Sequence, residues 1–356
     1  LKDRVSSFVK NHAFAVGIAA DIRQLEFSKI KRQIKSIDVL VGGPPCQGFS
    51  SIRPFRKLTE GDHRNSLVEN FVLLVSAFRP RWFIFENVVG LLTHGNGAKL
   101  DSIISGFNQA GYGVDFQVLN AAHYGVPQNR ERLVIVGNRI GAKFVWPAST
   151  HFVKHRSMAG SRPEVTQTFP LFSNHLPRAM TLREAISDLA IVESGEENNC
   201  YATAPKNSYQ KLMRKGGAKL TFHRATKHSK RMLEIIKYSG PNIHSIPTHL
   251  VSSGFSSCYS RLDNDSPSTT LTVNFVHPAS NRCIHPIQDR ALTIREGARI
   301  QSFPDHFVFV GTQAQVVKQI GNAVPPPMMQ QVAQCIMPYF EGKASSYPIK
   351  QEEITV

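Results

Sequence analysis

Between Ser36 and Gly137 short apolar runs alternate with amphipathic stretches, and this pattern limits the possible folds more than any other feature. Asp38-Val39-Leu40-Val41 ends abruptly at Gly42-Gly43-Pro44-Pro45. Val68, Phe71, Val72, Val75 and Phe78 follow at helical spacing, and Arg81 to Phe85 forms a dense aromatic and aliphatic run that leads into Glu86-Asn87-Val88. Val114 to Leu119 and Leu133 to Val136 are two further runs of the same kind. Apolar runs this short, with helices between them, predict strands covered on both faces. The expected architecture is an α/β domain built on a largely parallel sheet. Such sheets bind ligands at the carboxyl ends of their strands, where the polar motifs of this region lie.

The chain of 356 residues has room for two domains. Its 42 Lys plus Arg against 26 Asp plus Glu give a net charge of +16, which makes a polyanion such as nucleic acid a natural partner. A basic but otherwise ordinary enzyme is the alternative that charge alone leaves open. With 41% hydrophobic and 19% charged residues the composition is globular and argues against disorder. No stretch approaches the roughly 18 apolar residues of a spanning helix, so no membrane partner is expected. Cys46, Cys200, Cys258, Cys283 and Cys335 are scattered and odd in number, without a CxxC pair. Neither a metal site nor a disulfide framework is indicated, and the expected compartment is reducing and cytoplasmic.

The charge is concentrated. Between Arg139 and Ser260 there are 17 Lys plus Arg and 7 acids, and from Lys206 to Lys237 ten basic residues face one acid, Glu234. A solvated helix face is the usual meaning of a charge run. The single sign and the breaks at Gly216-Gly217 and Gly240-Pro241 favour phosphate contact instead. Farther along, Leu292 to Phe303 reads as a helix mixing an apolar stripe with charge. Another helix starts after Pro325-Pro326-Pro327 and is expected to bury Met328, Val332, Ala333 and Ile336. The tail from Gly342 is expected to fray.

Cys46 follows the first apolar run in a loop of small and polar residues, Gly42-Gly43-Pro44-Pro45-Cys46-Gln47-Gly48-Phe49-Ser50. A cysteine in an apolar run is ordinarily inert packing. This setting is that of an exposed nucleophile, and glycines there let a ligand approach the backbone. Glu86 and the run Gln128-Asn129-Arg130-Glu131-Arg132 flank neighbouring strands. A thiolate, a carboxyl and one or two guanidinium groups would then face one cleft.

These pieces resemble the cytosine-C5 DNA methyltransferases of the bacterial modification type. The resemblance rests on the Pro-Cys loop, Glu86-Asn87-Val88, Tyr124-Gly125-Val126-Pro127 leading into Gln-x-Arg-x-Arg, Arg290 to Glu296 continuing through Gln301-Ser302-Phe303-Pro304-Asp305, and Gly321-Asn322-Ala323-Val324-Pro325. They run in family order over roughly residues 20 to 330. The resemblance implies a Rossmann-like S-adenosylmethionine-dependent methyltransferase sheet with a smaller target-recognition domain. The implied division is a catalytic domain over 1–138, target recognition over 139–284, a return to the catalytic domain over 285–341 and a tail over 342–356.

The implied activity is methyl transfer from S-adenosyl-L-methionine to C5 of a cytosine flipped out of a specific duplex sequence. Cytosine C5 is a poor nucleophile, and thiolate addition at C6 makes the ring an enamine. The resemblance assigns that addition to Cys46. It places Arg132 at the cytosine O2 and Glu86 at N3 and the exocyclic amine, with Arg130 either sharing the role of Arg132 or supporting the loop through a structural ion pair. Gln47 to Asn65, polar and rich in Arg and Gly, would close over the nucleotide, with Gln47, Ser50, Arg53 and Arg64 on the DNA. Arg214, Lys215 and Lys219 are the phosphate contacts expected from the basic segment. The implied protein is a monomer acting on double-stranded DNA in a bacterial cytoplasm, at the nucleoid, alongside a cognate restriction endonuclease.

One departure from the family stands out. Its members open with a Phe-x-Gly-x-Gly turn and an acidic residue that hold the methionine and ribose parts of the cofactor, and neither occurs in these 356 residues. The remaining cofactor wall is expected to comprise Asp21, Ile22, Gly43, Pro45, Leu67, Asn322 and Ala323, with helix capping as the other role open to Asp21. With Leu1 in place of Met, the expectation is a catalytic domain incomplete at its N-terminus. The alternative function is an inactive DNA-binding fragment or one half of a split methyltransferase.

Overall fold

Local sequence chemistry sets most element boundaries in the computed structural model, which describes residues 1–34, 36–45, 66–154, 157, 175–217 and 219–340. In chain order, α1 (Lys2–Asn11), α2 (Phe27–Gln33), β1 (Val39–Gly42), α3 (Ser66–Phe78), β2 (Trp82–Asn87), α4 (Ala98–Gln109), β3 (Gly113–Asn120) and β4 (Glu131–Asn138) form the first part. Then come short helices α5 (Leu182–Ile186), α6 (Ser208–Met213) and α7 (Lys230–Lys237). The last helices among the described residues include α8 (Ile294–Ile300), α9 (Gln313–Asn322) and α10 (Pro326–Ile336).

The strands lie in the order β1-β2-β4-β3. Among the described strands only β1 and β2 pair in parallel; β4 runs antiparallel to both of its neighbours. The sheet is therefore mixed, where the apolar runs predicted a largely parallel one. The loop from β3 to β4 is short, and a short loop can join antiparallel strands, whereas parallel strands need a crossover. β3 is an edge strand whose first half alternates exposed and half-buried residues.

Period-two alternation divides the sheet's two faces. Phe83, Phe85, Leu133 and Ile135 pack against Val68, Phe71 and Val75 of α3 and Leu100, Ile103 and Phe107 of α4. Trp82, Ile84, Val134 and Val136 on the other face are covered by Met328, Val332 and Ile336 of α10, and Ala333 is half-buried beside them. Full burial of each large apolar side chain contributes about 1.5–3 kcal/mol, so α10 is a structural part of the sheet layer although it follows β4 by almost 200 residues.

A third core joins Leu182, Tyr209, Met213, Leu220, Leu262, Leu271 and Phe275 to Leu292, Ala298, Ile300, Val316, Val317 and Ile320. α8 is shorter than the expected Leu292–Phe303. Thr293 and Glu296 close a capping box at its start, and the left-handed Ser302 (φ 61°) turns the chain just beyond its end. All seven of its residues are buried, charges included. Arg290 forks onto both oxygens of Glu296 at 2.9 and 2.7 Å. Arg299 forks onto Asp305 at 2.7 Å through each of two nitrogens and reaches Asp188 at 3.0 Å. The charges of α8 and its flanks thus form a buried network in which Arg290 pairs with Glu296 and Arg299 with Asp305, while Arg295 Nη1 lies 3.7 Å from Asp305 without a hydrogen bond.

Candidate active site

Parallel pairing of β1 with β2, in register from Val39↔Trp82 to Gly42↔Phe85, brings the loops after both strands out at one end. A β-carbon on Gly43 would stand 2.9 Å from Oε2 of Glu86, so the absence of a side chain there makes room for the carboxyl. Asn87 Nδ2 donates to the Pro44 carbonyl at 3.1 Å and ties the Gly-Pro-Pro turn to the end of β2.

On β4, Val134 lies opposite Glu86, and Arg132 is two residues away on the same face. Arg132 Nε meets Glu86 Oε1 at 2.9 Å, while its Nη1 donates to the Glu131 carbonyl at 2.7 Å. The Glu86 and Arg132 side chains are 13% and 12% exposed: largely dehydrated, yet open at the rim. Burial raises the Glu86 pKa above its ordinary 4.5, and outweighs the opposing pull of Arg132 and Arg130. Because β4 is reversed, the Gln-x-Arg-x-Arg run at its amino end falls beside the carboxyl end of β2. The antiparallel pairing is what assembles the site.

Arg130 is placed differently from Arg132. It is 2% exposed, and its Nη1 and Nη2 donate to the carbonyls of Leu271 (3.0 Å) and Gly321 (3.1 Å). These bonds tie the loop to two distant segments through carbonyls, not through the ion pair that the alternative reading expected. Gly321 in turn brings the neighbouring Asn322 and Ala323 toward this side of the molecule; Asn322 is exposed and Ala323 half-buried. Gly43 and Pro45 are exposed and Leu67 is half-buried. Asp21 caps the turn Ile22–Gln24 by accepting from Arg23 N, and also pairs with the Arg23 guanidinium at 2.5 Å. The hydrogen bond from Arg23 holds the Asp21 carboxyl down at about 2. The turn packs against α3, the helix that carries Leu67.

Cys46, Gln47, Ser50, Arg53 and Arg64 lie outside the described residues. Among the described cysteines, burial pushes the thiols of Cys283 and Cys335 up, which leaves them protonated and unsuited to nucleophilic attack. Cys258 is buried as well.

Of the expected phosphate contacts, Lys215 and Lys219 are exposed. Arg214 is turned inward: it donates to the Thr203 carbonyl at 2.8 Å, pairs with buried Asp188 at 3.3 Å and lies 3.7 Å from the centre of the Tyr201 ring. Gln128 and Gln301 went unassigned in the sequence reading, although both fall within its motifs. They are fully buried, and their amides meet at 3.0 Å across 173 positions. No local pattern announces a contact between residues that far apart.

Known proteins resemble this chain along nearly all of its length. The sequence profile of the C-5 cytosine-specific DNA methylases matches residues 2–337. The Type II methyltransferase M.DdeI of Desulfomicrobium norvegicum is 34% identical over 352 residues, covering 91% of this chain and 78% of that protein. The Type II methyltransferase M.AgeI of Thalassovita gelatinovora is 30% identical over 398 residues, covering 93% and 91%. Among solved structures, a prophage-encoded protein from E. coli described as a DNA modification methyltransferase superposes with a TM-score of 0.69 at 22% identity, covering 95% of this chain and 90% of that one.

Proposed function

This chain belongs to the C-5 cytosine-specific DNA methylases, a family of enzymes that methylate cytosine in DNA, and on that premise we propose how its own residues divide the work. The observation that carries the proposal is the Glu86–Arg132 pair, dehydrated at the sheet rim one turn from the loop that continues into Cys46.

In this reading the Cys46 thiolate adds to C6 of the target cytosine, and the electron pair of the ring moves toward C5 and N3. Glu86 holds a proton at N3, a task suited to a carboxyl whose pKa burial has raised. Arg132 sits against O2, where its guanidinium stabilises the charge that thiolate attack creates. Its hydrogen bond to Glu86 orients both groups before the base arrives. Once C5 has gained the methyl group, a base removes the C5 proton, the pair left behind re-forms the ring double bond and Cys46 departs. A cytosine inside a duplex cannot reach a thiolate held in a loop, so the target nucleotide is taken out of the stack.

S-adenosylmethionine, when bound, supplies the electrophilic methyl group. The donor set along the rim fits an adenosine-bearing ligand. Asn322 offers an exposed amide, Gly43 an exposed backbone, and Asp21, which caps its turn, a carboxylate held in place by Arg23 beside Ile22, with Pro45, Leu67 and Ala323 as further contacts.

We assign DNA reading to the basic segment within 139–284, with Lys215 and Lys219 on phosphates, and the return to the sheet within 285–341. The relatives' designation as Type II methyltransferases supports a modification role beside a restriction endonuclease. A bacterial cytoplasmic monomer agrees with this reading. Among the described residues no helix is long and apolar enough to cross a membrane.

The test is covalent trapping on duplex DNA containing 5-fluorocytosine, whose C5 substituent cannot be removed as a proton. An adduct that requires S-adenosylmethionine and disappears in Cys46→Ala is expected. An adduct that survives Cys46→Ala, or the lack of any in the intact protein, refutes the assignment.

A further inference from the structure

Three segments that are remote in sequence meet at one buried knot made of amides and a guanidinium. The first is the loop 127–132 that leads to Arg132. The second, 268–273, closes the basic segment. The third runs from the end of α8 to the end of α9. Ser268 N donates to the Pro127 carbonyl at 2.9 Å, and Asn129 N donates to the Ser268 carbonyl at 2.8 Å, so the second segment lies on the first like a short parallel strand.

Side chains complete the joint. Leu271 N donates to Gln128 Oε1 at 2.9 Å; Gln128 Nε2 donates to Gln301 Oε1 at 3.0 Å; Gln301 Nε2 donates to the carbonyls of Ile320 at 2.7 Å and Ala323 at 3.3 Å. A polar relay thus runs in one direction from the recognition side to the residues expected on the cofactor face. Arg130 closes a second branch, binding the Leu271 and Gly321 carbonyls at a position two residues from Arg132. The backbones are themselves in contact. A β-carbon on Gly321 would stand 2.4 Å from the Thr272 carbonyl oxygen, so 320–323 cannot move toward 271–273 without displacing it.

We propose that Gln128, Arg130 and Gln301 are positioning residues that couple the cofactor face at Asn322–Ala323 to the DNA-side segment 268–273 and, through Arg130, to the setting of Arg132. The proposal rests on the reading of Asn322 and Ala323 as cofactor contacts. Apolar packing would hold these segments together and still let them slide. Directional bonds to named carbonyls fix their register, and in a low-dielectric interior each bond strengthens the next. A ligand that orders 322–323 therefore orders 271–273 as well. The reverse follows with the same factor, because coupling between two binding equilibria is reciprocal.

The experiment measures S-adenosylmethionine affinity with and without cognate duplex DNA, and DNA affinity with and without S-adenosylmethionine, in the wild type and in Gln301→Glu. The substitution keeps an acceptor toward Gln128 and reduces the two donations to 320–323 to one at most, from a carboxyl that burial keeps protonated. In the wild type each ligand is expected to tighten the other by roughly 5- to 100-fold. In Gln301→Glu the factor should fall toward 1, while each ligand alone binds within a few-fold of wild type. An unchanged coupling factor, with affinities that merely follow thermal stability, means the knot is only structural and overturns the proposal.

Backbone hydrogen exchange on the wild type gives a second readout that does not need the variant to fold. Adding S-adenosylmethionine alone should slow exchange at Leu271 and its neighbours. Protection confined to the 21–45 and 320–323 regions overturns the proposal and leaves the methyltransferase reading intact. A wild-type chain that binds DNA but shows no affinity for S-adenosylmethionine overturns both.

Discussion

Adding a single methyl group at Gly43 should separate catalysis from stability. The β-carbon of Gly43→Ala would lie 2.9 Å from Glu86 Oε2, so the carboxyl must retreat by about 0.5 Å to reach an ordinary 3.4 Å contact. The obstacle is the end of a flexible side chain and Gly43 is exposed, so the stability cost should stay below about 1 kcal/mol. The retreating carboxyl is, however, the one whose Oε1 is held by Arg132 at 2.9 Å. Misplacing a reacting group by 1 Å can cost about a hundredfold in rate, so half that displacement predicts roughly a tenfold loss of kcat at saturating DNA and cofactor. Gly137→Ala is the contrasting control: its β-carbon would meet the fully buried Phe83 ring at 2.2 Å, which should destabilise the sheet by about 1–3 kcal/mol. Labelled-methyl incorporation and thermal melting, run on both variants, decide the matter. If Gly43→Ala keeps its kcat within twofold, or loses activity only as far as its melting temperature falls, Glu86 is not the group the turn positions.

The raised pKa of Glu86 predicts that methyl transfer falls on the alkaline side as the proton is lost, and that this limb flattens in Glu86→Gln alongside a lower plateau. Because the folded state holds that proton more tightly than the unfolded chain, Glu86's contribution to stability is lost as pH rises above about 4.5. His285 should act in the opposite sense. Its Nδ1 accepts from Ile287 N and Gln288 N, and burial pushes its pKa down to about 4 despite the nearby Glu296. Folded protein then binds fewer protons than unfolded protein between pH 6.5 and 4, and should lose on the order of 3 kcal/mol as pH falls through that window. Denaturant titrations of His285→Gln should show that loss reduced. Lys215→Gln with Lys219→Gln should lower the slope of log affinity for DNA against log salt by about 2, measured by fluorescence anisotropy; an unchanged slope would return these residues to a solvated surface. Arg299→Ala leaves buried Asp188 with only Arg214 at 3.3 Å and takes the two-pronged guanidinium from Asp305, and should cost about 3–5 kcal/mol in chemical denaturation.

Periodicity made the layered α/β design legible because each buried strand or helix carries its own apolar spacing. The run 82–87 and the stripe through Val68, Phe71 and Val75 became β2 and α3 for that reason. Strand direction was not legible, since an apolar run has the same composition read either way, and β4 proved to be antiparallel. Glu86 and Arg132 were identified in advance as partners in one cleft. The sequence reading grouped Arg130 with them, but two backbone carbonyls 141 and 191 positions away claim it. Arg214 was read as a surface cation because it sits in a basic run. The Tyr201 ring and Asp188 that draw it inward are distant enough in sequence to leave no mark on that run. The burial of α8's charges was not legible either, since nothing local distinguishes an arginine facing water from one facing a buried carboxylate.

The sequence by itself determined the inventory: the family, the chemistry-bearing side chains, the alternation that builds a sheet between helices, and the concentration of positive charge in the middle of the chain. These follow from residue type and short spacing, where neighbours along the chain are neighbours in space. Only the tertiary structure decided which of those side chains act together. Reversal of β4 put Arg132 against Glu86, and folding of distant backbones onto Gln128, Arg130 and Gln301 made a joint of them. Buried polar groups must find partners wherever the fold supplies them, and for Gln128 and Arg130 those partners lie more than a hundred residues away.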